Sequence, residues 1–565
     1  MTHTDSAAGS SARFAELFTP KLLTVLREGY GLSHFKSDLI AGLTVAVVAL
    51  PLSMAIAIAA GATPAQGLYT AIFGGLFVSA LGGSRFQIGG PAGAFIVLMA
   101  TTVATHGMDG LLLATMMAGV LLLLIGLLRL GTYIKFIPYP VTVGFTAGIA
   151  IIIFASQLKE LLGLTLSGPE PGPLLEKLPV LAAAFSSWNA GAAAISVATI
   201  LLIVGLKRFR PAWPGMLLAV SLAALATAVF DLPVDTIGSR FGGIPAQISM
   251  PHLPALSWEK AVAVLPSAIA FALLGAIESL LSAVVADGMT GRRHRSNCEL
   301  AAQGIANIIS PLFGGICVTG TIARTATNIR AGAHGPVAGI VHAVCLLLFI
   351  VIAAPVAYFI PLAALAGVLA VVAWNMIEKS AIVSLLRASR GDALVLGSVF
   401  LLTIFRDLTE AIVVGVALGS VLFISRMARA TSVEMCPSFA QDDLPDSVEA
   451  RSAYNGLNVA SSDIVVYRIT GAFFFGAASA VGAALDAIAD DRKALILDFT
   501  GVPFIDSTAA KTLEGTAEKH NRHGIKVIVA GASRDVMQAL FAQGLKPPVV
   551  SFERSVETAL AKCKG

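Results

Sequence analysis

Stretches of about twenty apolar residues recur in this chain from residue 38 to residue 425, and no other feature limits its fold so strongly. A helix of about 20 apolar residues spans the hydrocarbon core of a bilayer. Lipid admits only segments that satisfy their own backbone hydrogen bonds. The runs fall at roughly 38–60, 64–82, 91–105, 110–130, 138–157, 190–206, 214–231, 261–287, 297–312, 319–333, 335–354, 361–377, 391–406 and 408–425, which makes about fourteen. Charged residues make up 13% of the chain, against about a quarter in an ordinary soluble domain. Mean hydropathy is +0.83. The fold class is an α-helical polytopic membrane protein. Runs 91–105 and 319–333 are too short to cross as ordinary helices.

Loop charges fix an orientation. With the N-terminus inside, Lys21, Arg27 and Lys36 precede the first run. The inside loops then carry Arg85, Arg129, Lys135, Lys207, Arg208, Arg210, Arg292, Arg293, Arg295, Arg330, Lys379, Arg387, Arg390, Arg426 and Arg429. The outside loops carry only Lys159, Lys177, Arg240, Lys260 and Arg406. This is the positive-inside bias, and it predicts an even number of spans with both termini cytoplasmic. The opening MTHTDSAAGSSARFAELF lacks the pattern of a cleaved signal peptide. A net charge of +4 implies no nucleic-acid partner. The five cysteines show no metal or disulfide spacing.

Beyond residue 430 no run is long enough to cross a bilayer. The segments 463–470, 493–499 and 526–532 read as strands, and 477–491, 507–523 and 534–544 as helices. Alternation of this kind predicts a small α/β domain with a largely parallel sheet. Residues 437–462 read as a linker or insertion. The expected domains are thus a cytoplasmic segment 1–37, a membrane domain 38–430 and a soluble domain 431–565. The membrane domain divides at the long outside loop 232–260 into repeats of about 38–231 and 261–425, with seven runs each. An odd number per repeat inverts the second copy. An echo accompanies this division: AQGLYTAI at 65–72 and AQGIANII at 302–309 are each followed by Phe-Gly-Gly and then by a short run.

The first short run begins GGPAGAF and the second TGTIARTATN. A half-helix starting at mid-bilayer offers free N–H groups and a partial positive charge, and two such ends facing each other make an anion site. The same small residues also suit ordinary glycine-rich helix contacts. Two ionisable residues lie within apolar stretches, Glu278 and Arg324. Each costs at least about 2.5–3.5 kcal/mol to insert, which argues for a role. Glu278 is a candidate holder of a coupling cation or proton, with Ser282 one turn along the same face; the alternative is a structural ion pair with Arg324. Arg324 either brings positive charge toward the anion or anchors a helix. Nothing resembles a nucleotide loop, a metal cluster or a nucleophile with its base, so neither an enzyme nor an ATP-driven pump is indicated and no cofactor is expected.

The segments AGLTVAVVALPLSMAIAIAAG (41–61), GLYTAIFGGLF (67–77), GGSRFQIGGPAGAF (82–95), 276–315 and TGTIARTATNIRAGA (319–333) resemble the SulP family, the sulfate-permease type of anion transporter. DFTGVPFIDSTAAKTL (498–513) resembles the STAS domain (sulfate transporter and anti-sigma-factor antagonist). The stretch 276–295 looks most like bacterial C4-dicarboxylic acid transporters of the DauA type. The resemblance implies a seven-plus-seven inverted repeat split into core and gate domains, and a homodimer in a bacterial inner membrane. It implies an anion held between Pro91, Ala92, Gly93 and Ala94 on one side and Gly320, Thr321 and Ile322 on the other, with Leu52 and Ile56 from the first span. Arg324 matches the family's basic residue on the second half-helix. Glu278 and Ser282 match the cation position of sodium-coupled members, where the sodium-driven bicarbonate carriers have aspartate and threonine; the glutamate makes a proton an equal candidate. Ser507 and Thr508 match the loop phosphorylated in free-standing STAS proteins. The expected function is elevator-type secondary transport of a small anion, a C4-dicarboxylate ahead of sulfate. The alternatives are an uncoupled anion conductor or bicarbonate carrier on the same fold, and a membrane-anchored sensor signalling through the tail to an unknown partner.

Overall fold

The computed structural model describes residues 16–564 except 135–137, 169, 172, 212, 246–249, 255–256, 407, 436–463 and 487–492. The segment 437–462 and Cys436 therefore lie outside the described residues. Two compact units are present, Met1–Val416 and Ala417–Gly565, divided within the helix Leu408–Ala430.

In the first unit each apolar run forms a helix. Nine helices among the described residues are at least 18 residues long and apolar enough to cross a bilayer. The runs 91–105 and 110–130 form two helices that meet at a kink at Gly107, with φ 70°, within Ile96–Leu127. Helices at Lys21–Arg27, Leu174–Ala183 and Lys379–Ala388 were not expected from hydropathy, being short and partly polar.

The helices gather into two groups. In one, Leu32–Ala59 packs on Val337–Ala357, and Ile96–Leu127 packs on both Trp258–Thr290 and Ser296–Leu312. In the other, Tyr139–Leu162 packs on Leu362–Met376 and Arg390–Phe405, and Ala190–Phe209 packs on Leu362–Met376. Helix association in lipid depends on close packing rather than on escape from water, so small residues mark the contacts. A Cβ on Gly119 would lie 2.7 Å from the Gly304 carbonyl oxygen, and one on Gly304 would lie 2.6 Å from that of Gly119. Only a pair of glycines lets these two backbones approach so closely.

The two echo motifs meet in space. The Phe73 and Phe313 rings stack with centroids 3.9 Å apart and planes at 11°. The Ile316 N–H donates to Thr70 Oγ1 at 2.7 Å.

The second unit contains a five-stranded sheet in the order β3 (Ser432–Met435), β4 (Ile464–Thr470), β5 (Ala494–Gly501), β6 (Lys526–Ala530), β7 (Ser551–Glu553). β3 runs antiparallel to β4 and the remaining pairs are parallel. Leu495, Leu497 and Phe499 alternate along β5 into a core shared with Ala509, Leu513 and Ala517 of the helix Ser507–Arg522. Period-2 and period-3.6 patterns thus meet on one face of the sheet.

Candidate functional site

Each half-helix is preceded by a two-residue strand. β1 (Gly89–Gly90) and β2 (Thr319–Gly320) pair antiparallel, Gly89 opposite Gly320 and Gly90 opposite Thr319. The pairing draws the starts of the two half-helices together. The first starts as a 3₁₀ turn, Gly93–Phe95, after Ala92 in extended conformation. The second is Ile322–Arg330, with Thr321 at its N-cap. Residues opening a helix have N–H groups with no carbonyl one turn back. On the first side these belong to Gly93 and Ala94. On the second they belong to Ile322, Ala323 and Arg324, because the Thr321 N–H already donates to Ile88 O at 3.0 Å and the Gly320 N–H to Ser279 Oγ at 3.2 Å.

Pro91, Ala92, Ala94, Gly320 and Thr321 are buried, while Gly93 and Ile322 are half-buried and Ala323 is exposed. A Cβ on Gly93 would stand 3.3 Å from Ile153 Cδ1 and 3.8 Å from Met376 Sδ, so the tip of the first half-helix faces the second helix group at near contact. Leu52 and Ile56 are buried on the helix Leu32–Ala59, which packs on the second half-helix.

Arg324 is 1% exposed. Its Nη2 donates to Pro91 O at 3.0 Å, and its Nη1 lies so close over Gly90 that a Cβ there would be 2.0 Å away. The guanidinium thus reaches across to the backbone before the first half-helix. Among the described residues no ion pair joins it to Glu278. Glu278 is half-buried on the helix Trp258–Thr290, and its Oε2 is buried without a hydrogen-bond partner. An unpartnered buried carboxylate oxygen is costly unless a proton or cation meets it. Ser282 donates to Thr325 Oγ1 at 3.2 Å, and that oxygen also receives the Ile88 N–H at 3.1 Å.

Two polar residues here escaped the sequence reading. Gln87 is 3% exposed, neither atom of its amide has a partner, and its Nε2 would stand 1.6 Å from a Cβ on Gly320. Ser279 binds both Thr319 Oγ1, at 2.7 Å, and the Gly320 N–H. A search for charges in apolar runs passes over neutral side chains such as the glutamine inside RFQIGGP.

In the tail, Ser507 and Thr508 are exposed in the first turn of Ser507–Arg522. Asp506 caps that helix through the Ala509 N–H at 2.8 Å and also receives the Phe475 N–H at 2.9 Å.

Comparison with known proteins shows the family. Residues 35–399 match the Sulfate permease family and 458–559 the STAS domain. The chain is 39% identical to the putative sulfate transporter YvdB of Bacillus subtilis, over 92% of its own length and 95% of that protein's. It is 33% identical to the bicarbonate transporter BicA of a Picosynechococcus species, covering 90% and 91% of the two chains. The solved transmembrane domain of a cyanobacterial BicA superposes with TM-score 0.62 at 31% identity, over 68% of this chain and 98% of that one. Murine Slc26a9, described as an anion transporter in the inward-facing state, superposes with TM-score 0.84 over 98% and 95% of the chains, a likeness of fold at 18% identity. The chain is a multi-pass membrane protein that belongs to the sulfate permease family and carries a C-terminal STAS domain.

Proposed function

We propose that this protein is a secondary carrier that binds a compact anion between the two half-helix starts and couples its movement to a proton or sodium ion at Glu278. The observation that carries this reading is the pairing of β1 with β2, which brings the two positive helix ends together one helix away from an unpartnered carboxylate. Anion and cation entering together leave less uncompensated charge in a low-dielectric site than either alone. Movement is elevator-like: the helix group bearing both half-helices slides along the contact where Gly93 faces Ile153 and Met376. The basic loops hold both termini on the cytoplasmic side of a bacterial inner membrane.

The narrow gap at Gly93 favours an inorganic oxyanion, and relatives named as sulfate and bicarbonate transporters have the same framework. A C4-dicarboxylate is the second reading, favoured by the absence of bulk at Ala92, Ala94 and Gly320.

The test is uptake of radiolabelled sulfate, bicarbonate and succinate into liposomes holding the purified full chain, under imposed proton or sodium gradients. Sulfate should accumulate against its own gradient when a cation gradient points inward. Glu278→Gln should abolish accumulation while leaving sulfate exchange at equilibrium. If the variant still concentrates the anion, Glu278 is not the coupling group. Passive flux indifferent to both cations would make the protein an uncoupled conductor, and binding without flux would make it a sensor.

A further inference from the structure

We propose that Ser279 is the positioning residue that ties the helix bearing Glu278 to the peptide of Gly320, just before the open N–H groups of the second half-helix, so that linkage between cation and anion binding runs through its hydroxyl. The proposal rests on the carrier reading above and adds a residue to it.

The hydrogen bonds around Ser279 form a short buried chain. Thr319 Oγ1 donates to Gly275 O at 3.4 Å. The 2.7 Å contact between Ser279 Oγ and Thr319 Oγ1 is a hydrogen bond in which either hydroxyl can donate. The lone pairs of Ser279 face the Gly320 N–H at 3.2 Å. The chain runs from the Gly320 N–H through Ser279 and Thr319 to Gly275 O, beginning at the mouth of the second half-helix and ending one turn before Glu278. Ser279 and Thr319 are fully buried, so solvent does not replace a broken link.

Gly320 is confined from the other side as well. The Gln87 amide lies against its Cα, leaving no room for a Cβ. The Gly320 peptide thus lies between Ser279, which holds its N–H, and Gln87, so displacement of the Glu278 turn reaches it through the Ser279 bond. Ser279 immediately follows Glu278 in that turn. Ser282, one turn on, ties the same helix to a side chain in the body of the half-helix rather than to the backbone at its mouth. Glu278 and Ser279 thus divide the work, one meeting the cation and the other holding the anion site.

The experiment is sulfate uptake by the full chain in liposomes at pH 5.5 and 7.5, with and without sodium, for wild type, Ser279→Ala, Ser279→Cys and Ser279→Thr. In wild type the KM for sulfate should fall when the coupling cation is present. Ser279→Ala should shrink that cation dependence by about tenfold, the scale of one lost buried hydrogen bond, with a smaller change in kcat. Ser279→Thr retains the hydroxyl and should restore the dependence. Ser279→Cys, close in volume but a weak acceptor, should behave as alanine and serves if the alanine variant does not fold. If wild type is cation-dependent and both variants keep the full dependence, with KM raised equally under all conditions, Ser279 is merely structural and the proposal alone fails. If wild-type uptake ignores both cations and Glu278→Gln changes nothing, the carrier reading fails and this proposal falls with it.

Discussion

Arg324 and Glu278 are the charges that a bilayer interior would exclude most strongly, and they meet their burial differently. Arg324 spends Nη2 on Pro91 O and lays its planar head over Gly90, so it braces the loop before the first half-helix. Glu278 keeps Oε2 unpartnered, which suits a group that gains and loses a cation. Between them, Thr321 fixes the start of the second half-helix: its N–H and Oγ1 both donate to Ile88 O, at 3.0 and 3.2 Å. A carboxylate at this position meets the open N–H groups of Ile322 and Ala323 and competes with any anion there. Thr321→Glu should therefore weaken sulfate binding by roughly 10–100-fold, the size of a charge-assisted contact, with normal expression. Calorimetric titration of the purified protein decides it: an unchanged affinity would move the anion site elsewhere. Both charges were legible in the sequence because each interrupts an apolar run. Gln87 and Ser279 were not, because a neutral polar side chain acquires its meaning from the N–H or carbonyl that the fold sets opposite it.

The half-helices were legible as elements because each opens on glycines and is too short to cross, the first ending at Gly107 in a left-handed conformation. Their convergence was not, since β1 and β2 are two residues each and a two-residue strand has no periodicity to read. The register Gly89–Gly320 is fixed from outside, by helices packed closely around it. The contact between Ile96–Leu127 and Ser296–Leu312 is one of the close crossings of the membrane unit. A Cβ on Gly304 would lie 2.6 Å from Gly119 O and 2.6 Å from Leu123 N, both backbone atoms that cannot rotate away. Gly304→Ala should force the helices apart and cost about 1–3 kcal/mol, the range for overpacking a filled core. A lowered melting temperature in detergent is the expected result. No change would mean that this crossing bears little of the stability.

At the scale of the molecule, hydropathy separates two units with different solvents. The membrane unit is read through long apolar runs and the tail through alternation of strands with helices. In the tail, β3, β7 and the helix Val556–Lys564 were missed because a strand of three or four residues, or a short polar helix, carries too little pattern to stand out. The tail has its own buried cluster around Leu497, Phe499 and Leu513, so it should respond to substitution by itself. Asp498 is the sensitive point. It is 2% exposed on β5 and receives Arg468 Nε at 2.8 Å and the Thr500 N–H at 3.0 Å. Burial alone would raise its carboxyl, but the bonds from Thr500 and Arg468 outweigh that and hold it below the usual carboxylate range. A depressed folded value means that the charged form contributes stability above the unfolded value of about 4, and that this contribution is lost as pH falls through the folded value. Asp498→Asn removes the charge at every pH and costs about 1–3 kcal/mol at neutrality. In scanning calorimetry of the full chain, the tail transition should fall by about 4–10 °C at pH 7. Below about pH 4 the wild type begins to lose the same contribution, and the two proteins should converge as pH falls further, through the folded value. The membrane unit's transition, identified in a chain truncated after Arg429, should not move. An equal deficit at pH 7 and pH 3 would show that Asp498 acts through shape rather than charge.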